Sequence, residues 1–125
     1  MTTFLQLATV NLMLIMYFLS GIDKISHFTK TVDGFRSKLP VINLYFARLA
    51  ILAAIVIELV GPILINYGHF ADKRYAIYGL LSLIVFTVLA TLIYHFPPVG
   101  GQYYPFMSNL TALGGLCTAL TLYAT

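Results

Sequence analysis

Residues 49–65 read LAILAAIVIELVGPILI, and this stretch decides the fold. Apart from Glu58, every position in it is Ala, Ile, Leu, Val, Gly or Pro. A helix rises about 1.5 Å per residue, so this run and its apolar flanks reach across the ~30 Å hydrocarbon layer of a bilayer. An ionisable group at the centre of such a span costs roughly 2.5–3.5 kcal/mol on insertion scales. Glu58 is therefore expected to face other helices or a polar cavity, not lipid. Pro62 adds to the demand. A proline four residues on cannot donate to the carbonyl of Glu58, so backbone and side chain both need partners at one depth.

Composition agrees. Of 125 residues, 60 % are hydrophobic and 9 % charged, against about 25 % charged in soluble domains. Mean hydropathy is +0.91. Residues 75–125 contain no Asp, Glu, Lys or Arg. These values describe one integral-membrane domain over residues 1–125. The net charge of +3 comes from scattered residues and lacks the basic stripe that nucleic acid requires, so no nucleic-acid partner is expected. The single cysteine, Cys117, excludes an intrachain disulfide and a self-sufficient thiol-redox enzyme. Its apolar surroundings predict a buried structural thiol. The apolar N-terminal stretch lacks a basic leading region and reads as a retained first span, not a signal peptide.

Four spans are expected: about Phe4 to Ile22, Tyr45 to Tyr67, Tyr75 to His95, and Phe106 to Tyr123. There is no Trp, and eight tyrosines fall at or near these ends, as an interfacial belt would. The predicted fold is all-α: a four-helix transmembrane bundle, multi-pass, with both termini on one side. Between the first two spans, Ile25, Phe28, Val32, Phe35 and Leu39 recur at spacings of three or four among Lys24, Lys30, Arg36 and Lys38. That pattern predicts a short amphipathic helix near His27 to Leu39 lying along the interface, ended by Pro40. The excess of Lys and Arg in this connection points to its side as cytoplasmic.

Depth and helical phase then gather the polar residues. Lys24 ends the first span, His95 the third, and Asn109 lies about one turn into the fourth. Ala50, Ala54 and Glu58 share a face of the second helix, with Gly61 one turn further; Thr87, Thr91 and His95 share a face of the third. Ser108, Thr111, Gly115 and Thr118 form a small, weakly polar stripe on the fourth. All three stripes are expected to face inward. Desolvation at mid-membrane favours a neutral carboxyl group. Lys24 and His95 lie roughly 10–15 Å away by helix rise. Glu58 is thus expected to be protonated, donating to a neighbouring oxygen. No helix carries paired His spacing, and no metal is expected.

The order of these motifs resembles the DoxX family of small four-span membrane proteins. Gly21-Ile-Asp-Lys24-Ile-Ser-His-Phe28 resembles its Gly-x-x-Lys-x-x-x-Phe motif. Glu58-Leu-Val-Gly61 followed by Gly68, Ala90 with His95, and Asn109-Leu with Gly114-Gly115 resemble those of the later helices. The chain departs at Pro62, where the family often has Gly, and at Asn11, the nearest counterpart of a first-helix Arg. The family takes its name from a subunit of an archaeal thiosulfate:quinone oxidoreductase. The resemblance implies a link to redox-type membrane assemblies, and the lack of a redox-cofactor motif and a thiol pair makes the expectation an accessory subunit, not catalytic by itself, in contact with lipids and with other subunits or its own copies. The alternative is a quinone-linked oxidoreductase subunit holding a quinone or lipid head group through Glu58, His95, Lys24 and Asn109, with no covalent cofactor. A transport or cargo-handling role is the lesser expectation.

Overall fold

A computed structural model describes residues 2–94 and 99–124, and the described residues contain helix and no strand. The elements are α1 (Thr2–Ser26), α2 (Phe28–Lys38), α3 (Leu44–Phe70), α4 (Lys73–Tyr94), a single 3₁₀ turn (Gly100–Gln102) and α5 (Tyr103–Ala124). α1, α3 and α4 are each long and apolar enough to cross a membrane. α5 matches α4 in length at 22 residues, but Ser108, Asn109, Gly114, Gly115 and three threonines dilute its apolar density. The last span expected from sequence, Phe106–Tyr123, lies wholly within α5 and is helical, while α5 is not among the three helices long and apolar enough to cross.

Local chemistry sets the boundaries. The chain turns between α1 and α2 at His27 (φ −124°, ψ 45°). Pro40, which cannot donate a helical N–H, follows the end of α2. Asn43 caps α3, its side-chain oxygen accepting the Phe46 N–H at 2.7 Å. Asp72 plays the same part for α4, accepting the Arg74 N–H at 3.0 Å and the Arg74 guanidinium at 2.8 and 3.1 Å. The guanidinium holds the exposed Asp72 carboxyl below its ordinary value of 3.8.

The short connection after α3 returns α4 antiparallel against it, and this is the most extensive helix pair. Glycine makes the approach possible. A Cβ at Gly68 would sit on the backbone nitrogen of Ala76, and one at Gly79 would lie 2.9 Å from the Gly61 carbonyl. α1 packs on the other side of α3, and α5 packs on α4 with a slight contact to α1. Buried positions recur at alternating spacings of four and three: Val10, Leu14, Tyr17 and Gly21 on α1, and Ala47, Ile51, Ala54, Glu58, Gly61, Ile65 and Gly68 on α3, with Ile55 and Pro62 of α3 buried beside them. That is the seam of a left-handed bundle.

Two apolar cores result. One joins α1, α3, α4 and α5 through Leu14, Ile65, Leu80, Leu83 and Leu116. The other seats Val32 and Phe35 of α2 on Ala47, Ile51 and Ile55 of α3. A short helix stands where the amphipathic one was expected, with Val32 and Phe35 packed on α3.

Two expectations are corrected. Ser108, Thr111 and Thr118 point outward, and α5 instead buries Leu116, Ala119 and Tyr123. The larger apolar surface takes the seam, while the threonine hydroxyls are satisfied within their own helix, Thr111 by the Met107 carbonyl at 3.0 Å and Thr118 by that of Gly114 at 2.9 Å. Cys117, next to Leu116, is turned to the outside and is exposed, not buried.

Candidate functional site

The seam of α1 continues past Tyr17 and Gly21 to Lys24, because α1 runs to Ser26 and not to Ile22. Gly21 lies directly against α3: a Cβ there would be 2.8 Å from Leu59 and 3.2 Å from the Cβ of Glu58. Lys24 is one turn further on, and its stem covers the remaining distance. Its Nζ stands 2.6 Å from Glu58 Oε1 and donates to Ser20 Oγ at 2.8 Å. The Phe86 ring of α4 lies 5.9 Å from the same nitrogen, within range of a cation–π contact.

Glu58 is 2 % exposed, while the Lys24 side chain keeps 21 %. The Lys24 ammonium is thus the partner of Oε1, which has no other donor among the described residues. This arrangement gives the buried carboxyl a basic partner within contact distance, where the sequence reading expected a neighbouring oxygen. The 10–15 Å separation estimated along the membrane normal rested on a first helix ending before Lys24, and the Gly21–Glu58 approach removes it.

A hydroxyl ladder lines the same space. Thr87 donates to the Leu83 carbonyl at 2.7 Å. A threonine has one hydroxyl proton, so the 2.7 Å contact with Tyr17 runs from the Tyr17 hydroxyl to Thr87 Oγ1. Thr91 donates to the Thr87 carbonyl at 2.7 Å and accepts from Asn109 Nδ2 at 3.0 Å. The ladder ties α1, α4 and α5 together. Beside it is a cavity of about 690 Å³, to which all five helices contribute, with Lys24, Glu58, Tyr17, Thr87 and Asn109 among its walls. Thr31, Gly34 and Phe35 of α2 also line it.

The sequence-predicted site residues Lys24, Glu58 and Asn109 thus share one cavity. His95 lies outside the described residues. The inward stripes Ala54–Glu58–Gly61 and Thr87–Thr91 are buried, and Ala50 is partly so. Among the described residues, no three His, Cys, Asp or Glu side chains converge as a metal-holding group.

The family model for DoxX matches residues 11–96. The chain belongs to the DoxX family. With three helices apolar enough to cross a bilayer, this DoxX chain is an integral, multi-pass membrane protein. The matched region contains Lys24 and Glu58 and ends before Asn109. No curated protein and no solved structure matches the chain.

Two polar clusters in this DoxX chain escaped the sequence reading. Asn11 and Asn66 exchange reciprocal amide hydrogen bonds at 2.9 Å between α1 and α3. Their other amide protons go to the carbonyls of Leu7 and Pro62, both at 2.8 Å. Asn66 was signalled by its place four residues after Pro62 and eight after Glu58, on the same face. About one turn further toward the same end of the bundle, His69 Nδ1 meets the Tyr123 hydroxyl at 2.6 Å, and Gln6 bonds the same hydroxyl. That pairing brings together residues 54 positions apart, and no spacing rule within one helix reveals it.

Proposed function

We propose that this DoxX chain is a membrane subunit whose central cavity binds the head group of a membrane-soluble amphiphile, of the quinone or lipid class, within a larger redox-type assembly. In this reading α5 completes a fourth crossing, α2 lies at the interface, and both termini share a side. One observation carries the reading: a buried ion pair, Lys24–Glu58, on the wall of a cavity of about 690 Å³. Ligand cavities are commonly about 300–1,000 Å³, mostly apolar, with a few convergent polar groups. An ion pair is a costly way to hold helices together, since a well-packed apolar pair is often as stable or more so. A ligand that uses the charges explains their retention. The accessory role follows from what the sequence lacks, namely a redox-cofactor motif and a second cysteine.

The test is purification in native lipid nanodiscs, with mass spectrometry of extracted amphiphiles and co-purifying subunits. Wild type is expected to retain an amphiphile. Ala54→Leu, which fills the cavity from a wall position that is 9 % exposed, is expected to lose it. Equal recovery from both, or from neither, defeats the proposal.

A further inference from the structure

We propose that the outer surface of α2, with Arg48 of α3, docks the phosphate head groups of acidic phospholipids. The proposal takes α2 to be interfacial, as in the reading above, and is independent of what fills the cavity.

An amphipathic helix binds a bilayer through buried apolar area and through attraction to anionic lipid. α2 has used the first on α3. Its apolar residues, Phe28, Val32 and Phe35, all pack in the cluster that joins the two helices. The remaining surface is polar: Lys30, Asp33, Ser37 and Lys38 are exposed and Arg36 is half-buried. Charge is what α2 itself has left to hold a membrane.

That charge is unpaired. Among the described residues, Lys30, Arg36, Lys38 and Arg48 make no ion pair. Of the four acidic residues in the chain, Glu58 meets Lys24, Asp72 meets Arg74 and Asp23 lies beside His27. Asp33 is on α2 itself, three residues from both Lys30 and Arg36, and pairs with neither. Even with Asp23 and Asp33 set against them, the four cations keep a positive surplus. Arg48 belongs to the same patch, because it follows Ala47, which is buried in the α2–α3 cluster.

The chemistry of the patch selects the lipid. A guanidinium grips phosphate oxygens in pairs. A zwitterionic head group brings its own cation to a basic surface and gains little; an acidic one does not. Each Lys or Arg beside an acidic leaflet multiplies association roughly fivefold. A surplus of two gives roughly 25-fold, which salt screening lowers to about tenfold. The same excess of Lys and Arg points to this side as cytoplasmic, the leaflet in which acidic lipids concentrate.

The purified full chain, delipidated in detergent, is titrated with phosphatidylglycerol or phosphatidylcholine of equal chain length, and native mass spectrometry counts the lipids bound. Wild type is expected to favour phosphatidylglycerol about tenfold. The combined Lys30→Gln, Arg36→Gln, Lys38→Gln and Arg48→Gln variant is expected to fall below about threefold. Its phosphatidylcholine binding should be unchanged, which also shows that it folds. Lys73→Gln, at the start of α4, should keep the preference. Equal binding of both lipids by wild type, a preference that survives the combined variant, or one lost with Lys73, overturns the proposal. A spin label at Ser37→Cys, in a Cys117→Ala background, reads the depth of α2 in vesicles of the two lipids. A label at head-group depth without a lipid preference defeats the docking surface alone. A label outside the head-group layer defeats the interfacial reading with it.

Discussion

Replacing Lys24 with Met is expected to cost more than replacing Glu58 with Gln, although both remove the same ion pair. The asymmetry comes from burial. Lys24→Met strands a carboxylate whose side chain is 3 % exposed. Removing one partner of a buried pair typically costs about 3–5 kcal/mol. Proton uptake sets a ceiling, since neutralising an ordinary glutamate at neutral pH costs about 3.7 kcal/mol. The expected loss is therefore about 3–4 kcal/mol. Glu58→Gln leaves an ammonium on a flexible stem that is 21 % exposed, and it can turn toward water, for a loss of about 1–2 kcal/mol. The double variant, with neither charge, is expected within about 1 kcal/mol of wild type. Equilibrium unfolding from detergent, followed by far-UV circular dichroism because the chain has no Trp, reads all four proteins. The cycle should give a coupling of about 3 kcal/mol or more. Additive losses, or a Lys24→Met variant within about 0.5 kcal/mol of wild type, would refute the buried ion pair and restore the neutral carboxyl that the sequence alone suggests.

Gly68→Ala is expected to lower stability by about 3 kcal/mol, because its Cβ falls on the Ala76 backbone and the α3–α4 pair must separate; a melting curve checks it. Thr87→Val removes the acceptor of the buried Tyr17 hydroxyl and should cost about 1–3 kcal/mol, much of it recovered by adding Tyr17→Phe. The Asp72 carboxyl, followed by carbon NMR, should titrate below 3.8 because Arg74 donates to it. Its folded-state value is depressed, so its contribution to the α3–α4 turn is present above 3.8 and disappears as pH falls through the lower folded midpoint. Asp72→Asn should abolish that dependence.

What the sequence revealed and what it hid divide along one physical line. Glu58 was legible as an inward residue because the cost of charge in hydrocarbon leaves no other reading. α2 was legible from its amphipathic period. α5 carries no such contrast, being apolar or weakly polar on all sides, and small polar residues were mistaken for its buried face. The seam, Asn109, Ala112, Leu116, Ala119 and Tyr123, lies one position away from the expected Ser108, Thr111 and Thr118, a rotation of about 100°, while Gly115 does pack against Met13 of α1. Lys24 was hidden by a different cause. Its depth was measured along its own helix, whereas its distance from Glu58 is set by the register between two helices, which Gly21 fixes at the level of Glu58 and Leu59. Yet the signal was present. Val10, Leu14, Tyr17, Gly21 and Lys24 repeat at four, three, four and three, the period of a bundle seam. A lysine in phase with that repeat is directed at the neighbouring helix before any question of snorkelling arises. In a chain with so few charges, helical phase thus identifies the partner of a buried carboxylate better than apparent depth does.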